Sequence, residues 1–296
     1  MSTSSAPVIS TGGSGLPSRT IFYATEKFGK SSWAAQAPSP IFAMAKGENG
    51  LLTLIDGGII KPTPHFDEVL NWDGMKACVK WLTEAEHSFR TFVIDTANQS
   101  QALLFDHITR AKYDNNREKF NAYGKGVNDH ACPEWARFLE SLDRLRATRK
   151  MAIIFLAHAR VKPFNNPDGD NYSEYQVDMD DKVYGLAAKW ADIIAFGKHD
   201  IIAVKERGEL KAKAQSAGTR TMHTVGSASW KAGNRYNLPA EIPMGKSPEQ
   251  AWNNFATAVR KARQLGNQPV ATAETPVVDP SEIIESTENK TETVSA

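Results

Sequence analysis

The chain has 296 residues, of which 41% are hydrophobic and 23% charged, and a formal net charge of +1. That balance is ordinary for a folded globular protein and excludes a collagen-like, coiled-coil or wholly disordered chain. No stretch approaches the roughly 18 uninterrupted apolar residues that a membrane span needs. Two cysteines, Cys78 and Cys132, are too few for a disulfide framework and lack metal-site spacing, which points to a reducing compartment.

Residues 1–18 are rich in Ser, Gly, Thr and Pro, the composition of a disordered tail, and carry no basic or apolar signal region. Residues 19–265 read as one α/β domain. Thr20–Ala24 is a short apolar strand, a turn follows, and Ser31–Ala35 opens a helix. Pro40–Met44 is a second strand. Apolar spacing at Val69, Trp72, Cys78 or Val79, and Leu82 predicts a helix over 67–88. Phe89–Asp95 is a third strand, ending in an acid. A helix over 133–149 has Pro133 in its first turn. Met151–His158 is a continuous apolar run, as in a strand buried on both faces. Residues 180–190 read as helix, 192–196 and 201–205 as strands, and 248–263 as an amphipathic helix. Strands alternating with helices predict a mostly parallel sheet covered on both faces.

Residues 266–296 form a second predicted disordered tail. It carries six acids (Glu274, Asp279, Glu282, Glu285, Glu288, Glu292) against Lys290, a net of −5, which leaves +6 on residues 1–265. A basic body with an acidic tail fits a polyanion ligand and a tail that competes with it or binds a partner; a purely solubilising tail is the plain alternative.

Ala24-Thr25-Glu26-Lys27-Phe28-Gly29-Lys30-Ser31 matches the phosphate-loop pattern G-x-x-x-x-G-K-[ST], with Ala in place of the first Gly. In such a loop backbone N–H groups cradle phosphate oxygens, Lys30 reaches the outer phosphates, and the Ser31 hydroxyl ligates Mg²⁺. Ser32 completes the nucleotide-binding stretch. Asp95, at the end of an apolar strand expected to neighbour the one that enters the phosphate loop, suits the acid of the Mg²⁺ shell, although a strand-terminal Asp is also a common helix N-cap. Glu48, just past the second strand, is the candidate general base or water-positioning acid, with Asp56 as competitor. His158, at the tip of the MAIIFLAH strand, is a candidate γ-phosphate sensor; a His bonded to a backbone carbonyl is the plain alternative.

The segment 161–179 reads as a long loop, with Phe164, Tyr172 and Tyr175 able to stack on unpaired bases. Arg160 and Lys162 flank it. Between Lys205 and Arg235 lie seven bases and two acids, with Trp230 and Tyr236 nearby, the best basic patch outside the phosphate loop. Lys125, Arg160, Lys162, Lys211, Lys213 and Arg220 are the candidate DNA-binding residues. Arg235, with Arg220, is a candidate arginine reaching a nucleotide across a subunit boundary.

The ordered set YATEKFGKSS, FVIDT, YGKGVNDHACPEWARFLESLDRLR, IIFLAHARVKPFNNPDGDNYSEYQVD, WADIIAF and AGNRYNLP resembles the phage and prophage RecA-like P-loop ATPases, AAA-type ATP-binding proteins with single-strand-annealing recombinase relatives. The resemblance covers roughly residues 19–245. It implies a RecA-like P-loop NTPase core, ATP with Mg²⁺, single-stranded DNA and a single-strand-binding protein as partners, a homo-oligomer, no membrane, and the bacterial host cytoplasm. By position it makes Lys30 and Ser31 the phosphate and Mg²⁺ residues, Asp95 the Mg²⁺-side acid and His158 the sensor. Glu48 falls where the family often has an acid. The leading reading is a DNA-stimulated ATPase in phage recombination or annealing. The alternatives are a P-loop kinase of a nucleotide or small molecule, for which no compact Arg-rich lid stands out, and a nucleotide-gated module that does not hydrolyse ATP.

Overall fold

The computed structural model describes residues 12–167, 169–204 and 213–266. The strands are β1 (Arg19–Ala24), β2 (Pro40–Met44), β3 (Thr91–Asp95), β4 (Ala152–Phe164), β5 (Tyr172–Val177), β6 (Ile193–Val204), β7 (Lys213–His223), β8 (Gly233–Asn234) and β9 (Glu241–Pro243). The helices are α1 (Lys30–Ala34), α2 (Gly50–Asp56), α3 (Trp72–Glu84), α4 (Ala97–Lys112), α5 (Arg117–Asn121), α6 (Cys132–Arg149), α7 (Asp181–Trp190) and α8 (Pro248–Gly266). A π-helical stretch, Gly126–Ala131, leads into α6.

The sheet runs β2-β3-β4-β1-β6-β7-β9. Its five central strands, from β2 to β6, are all parallel, and β7 and β9 add antiparallel pairings at one edge. The strand period of two sorts the core. Ile21 and Tyr23 of β1 face α3, α4, α6 and α7. Phe22 and Ala24 face α1, α2 and α8, against Trp33, Leu51 and Phe255. The expected fold class, a P-loop α/β core with helices on both faces, is therefore present. No helix among the described residues is long and apolar enough to cross a membrane.

Caps explain where several elements begin. α3 starts at Trp72 rather than 67 because Asn71 accepts the Gly74 N–H at 2.8 Å. α7 starts after Asp180, whose carboxylate accepts from the N–H groups of Lys182 and Val183. α4 has no counterpart in the sequence reading. Thr96 caps it, and Leu104 and Ile108 point to the core four residues apart.

Three expectations need correction. The segment 161–179 is a hairpin rather than a long loop: β4 runs on to Phe164 and pairs antiparallel with β5. The two strands expected at 192–196 and 201–205 are one long strand, β6, over Ile193–Val204, with a register shift between His199 and Ile201. The strands leading to Lys30 and to Asp95 are not neighbours, because β4, carrying His158, lies between them. Within the expected N-terminal tail, the carbonyls of Leu16, Pro17 and Ser18 accept hydrogen bonds from Arg263, Arg146 and the Ile153 N–H. Residues 1–11 and 267–296 lie outside the described residues.

Candidate active site

Three parallel strands end side by side, and each delivers a chemical group. β1 ends at Ala24 and opens the loop Thr25–Gly29 into α1. Ala24 is still strand, fully buried and outside the left-handed region, so a side chain is tolerated where the motif usually has Gly. The left-handed residues are Lys27 (φ 56°) and Gly29 (φ 104°), which wind the loop as backbone nests for anions require. The Phe28 ring is fully buried and edge-on to Phe22 and His199, so it anchors the loop to the sheet. It lies against Gly197, where a built Cβ would fall 2.5 Å from the ring. Glu26 and Lys27 are exposed at the loop's tip.

Lys30 is 7% exposed, and its ammonium donates to the carbonyls of Ala24 (3.2 Å) and Thr25 (3.1 Å). Burial lowers its pKa, against the pull of Asp95, Glu48 and Glu26. Ser31 Oγ donates to Asp95 Oδ2 at 2.7 Å. Ser32 Oγ donates to the Gly29 carbonyl at 2.9 Å, holding the first turn of α1. Asp95 is 3% exposed, and burial raises its carboxyl to about 6, with the Ser31 hydrogen bond opposing and Glu48 assisting the rise. Asp95 is not the N-cap of α4. Thr96 takes that role, which leaves the Asp95 carboxylate for Ser31.

Glu48 follows β2 and turns inward. Its Oε1 accepts from Thr96 Oγ1 at 2.8 Å and lies 3.4 Å from His158 Nε2. Burial raises its pKa, but the hydrogen bonds from His158 and Thr96 outweigh that and keep it below the ordinary glutamate value. The His158 backbone N–H donates to Asn98 Oδ1 at 3.2 Å, and its Nδ1 is enclosed without a hydrogen-bond partner among the described residues. Asp56, the competitor for the base, is exposed at the far end of α2. Thr96 and Asn98 were not singled out from the sequence; a Thr directly after a strand-end acid is the signal that marks the first.

Ser31 Oγ and Asp95 Oδ2 form a pair of hard oxygen donors. No group of three or more His, Cys, Asp and Glu that would cage a metal occurs among the described residues. That chemistry fits Mg²⁺, which is usually held by one or two protein oxygens together with phosphates and water.

The proposed DNA residues fare differently. Arg160 pairs with Asp178 and Asp181 and donates to the Met179 carbonyl, and Lys162 pairs with Asp181. Tyr175 stacks on Phe196, and Trp230 packs on Phe196 and His223, so neither ring is displayed for bases. Phe164 and Tyr172 face each other with ring centroids 5.0 Å apart. Arg220 is no free DNA contact: its Nη1 donates to the Phe28 carbonyl at 2.6 Å and its guanidinium lies over the Phe28 ring, clamping the P-loop from the same chain. Arg235 sits at the opposite end of the strands, by the start of β6, bonded to Asp192 (3.3 Å) and the Lys189 carbonyl. Asp192 is shared there with Arg19 and Arg146. Lys125 is exposed beside Tyr123, which is 95% exposed. Lys211 and the side chain of Lys213 lie outside the described residues.

A family model described as an AAA domain (AAA_24) matches residues 17–236. The chain belongs to that AAA-domain family. Its P-loop fold, with the motif lysine and serine after β1 and the strand-end acid on β3, supports ATP binding. A crystal structure of the RadB recombinase is similar over 79% of this chain and 90% of that chain, at 11% identity and a TM-score of 0.43. No curated protein matches the chain.

Proposed function

We propose that the protein is a Mg²⁺-dependent ATPase whose turnover responds to single-stranded DNA, in the manner of the RecA-like recombination proteins that its motifs resemble. The observation that carries the ATPase reading is the 2.7 Å contact between Ser31 and Asp95, with Lys30 beside it and Glu48 held by Thr96 and His158.

In this reading the loop Ala24–Ser32 encloses the phosphates through its backbone N–H groups. Lys30 leaves the carbonyls of Ala24 and Thr25 for phosphate oxygens, an exchange of neutral acceptors for anionic ones that favours the bound state. Ser31 and Asp95 are the residues that hold Mg²⁺, and the ion supplies charge neutralisation on the phosphates when bound. Glu48, ionised and fixed by two hydrogen bonds, orients water for in-line attack and takes its proton. His158 touches Glu48 directly, so a change at the phosphates that moves Glu48 also moves β4 and its hairpin with β5.

Two observations support the DNA part. Strands β6 and β7 are joined through residues 205–212, which carry three bases and two acids, and Arg220 of β7 bonds the P-loop at Phe28, so a ligand on these strands has a direct contact to the phosphate site. Tyr123 and Lys125 offer an exposed ring beside an exposed cation, the combination that suits unpaired bases and their phosphates. The test is ATP hydrolysis with and without single-stranded DNA, with Glu48→Gln as control. Hydrolysis stimulated by the DNA and lost in the variant supports the proposal. Hydrolysis that ignores DNA refutes its second half, and its absence under both conditions refutes the first.

A further inference from the structure

The end of the strands opposite the P-loop carries a feature that ATP chemistry does not use. The last turns of α8, the Pro17–Ser18 strap, Pro38 and the starts of β3 and β4 surround an open pocket of about 500 Å³. Its floor is apolar, built from Trp252, Phe255 and Val259. Its rim carries Arg90, Lys150, Arg260 and Arg263, and no acidic side chain lines it among the described residues. Arg90, Lys150 and Arg260 are exposed, and no ion pair to them occurs among the described residues. The pocket therefore presents uncompensated positive charge around a greasy floor, and its ligand must be both acidic and apolar.

We propose that this pocket docks the chain's own C-terminal segment, residues 274–288. The segment has five acids and no base, and it holds two apolar pairs, Val277-Val278 and Ile283-Ile284, among those acids. Each property of the pocket thus meets its complement. Connectivity favours the same occupant. The chain leaves α8 at Gly266, two residues past Gln264, which itself lines the pocket. Folding back along α8 as far as Trp252 covers about 21 Å of helix. The eight residues from 266 to 274 alone span up to about 27 Å, so the segment reaches without strain. Tethering by so short a linker gives an effective concentration of order millimolar, which makes even a weak docking site well occupied. The proposal does not depend on the ATP reading, because the pocket and the P-loop lie at opposite ends of the strands.

Hydrogen–deuterium exchange on the full-length chain tests it. In the parent, the amides of α8 from 252 to 263 and of the segment from 277 to 285 exchange about tenfold more slowly than in a variant with Ile283→Ser and Ile284→Ser. Arg260→Glu, which alters an exposed rim residue, gives the same release. Equal exchange in the parent and the serine variant overturns the proposal. A photo-crosslinking residue at position 284 of the full chain attaches to α8 or to the strap within one molecule. Attachment between two molecules assigns the pocket to a second copy and overturns the intramolecular site. Slowed exchange of α8 that arises only on adding single-stranded DNA assigns the pocket to nucleic acid and overturns it as well.

Discussion

Replacing Asp95 by Asn should stabilise the free protein at alkaline pH while removing the carboxylate proposed to hold the metal. Asp95 is 3% exposed, and burial moves its carboxyl from the ordinary value of 3.8 to about 6. Between those values the folded state binds more protons than the unfolded chain. Stability therefore falls as pH rises through that window and stays reduced above pH 6. Each tenfold difference in proton affinity is worth about 1.4 kcal/mol, so holding the charged carboxylate at pH 8 costs about 3 kcal/mol. Asn carries no charge, and its side-chain oxygen still accepts from Ser31. The variant should gain about 1–3 kcal/mol at pH 8, which at this domain size corresponds to about 2–4 °C in Tm per kcal/mol. Thermal or denaturant unfolding of parent and variant, without nucleotide, at pH 4, 6 and 8 reads the effect. The gap should be largest at pH 8 and close towards pH 4. A variant less stable than the parent at pH 8, or a gap that ignores pH, refutes the reasoning. A gain in stability on removing a functional charge is what a site strained for ligand binding should show.

On the proposed role of the same carboxyl in holding Mg²⁺, affinity for Mg²⁺-ATP should rise about tenfold from pH 5 to pH 7 as Asp95 ionises near pH 6, in the parent but not in Asp95→Asn. Equal pH profiles would remove Asp95 from the metal shell. Lys30→Ala should weaken ATP binding by about 10–150-fold, the worth of hydrogen bonds to a charged group, with the unfolding midpoint held or raised. A fluorescent ATP analogue gives the affinity, and an unchanged value disproves the assignment. Glu48→Gln should slow hydrolysis by about 10²–10⁴ with nucleotide affinity nearly unchanged, and parent-like turnover would transfer the role to another group. Gly197→Ala places a Cβ 2.5–2.9 Å from the Phe28 ring, which should cost about 1–3 kcal/mol in denaturant unfolding. Parent-like stability there would mean that the P-loop anchor is loose.

Much of the architecture was legible because its signals are local. The apolar runs of β1, β2, β3 and β4, the Pro133 start of α6 and the GKS turn after β1 depend on neighbours within a few residues. The composition also set the basic body against the acidic segment after Gly266. Elements whose identity rests on distant partners were not legible. β5 is polar by sequence and is a strand because β4 supplies its hydrogen-bond ladder. α4 has Asn98, Gln99 and Ser100 in its first turn and is fixed by Thr96 and by packing on the core.

The site divides the same way. The residue types at 30, 31 and 95 follow from chain order, but their meeting depends on β4 lying between their two strands, and chain order does not specify which strands are adjacent. Charge was the least legible property. Arg160, Lys162 and Arg235 read as free cations in one dimension, and the fold spends them on Asp178, Asp181 and Asp192. Arg220 reads as one of a basic run, and the β6–β7 pairing brings it onto the P-loop. A sequence states which charges exist. Only the tertiary structure decides which of them are already neutralised, because Coulomb energy depends on distance and burial, and neither is a function of separation along the chain.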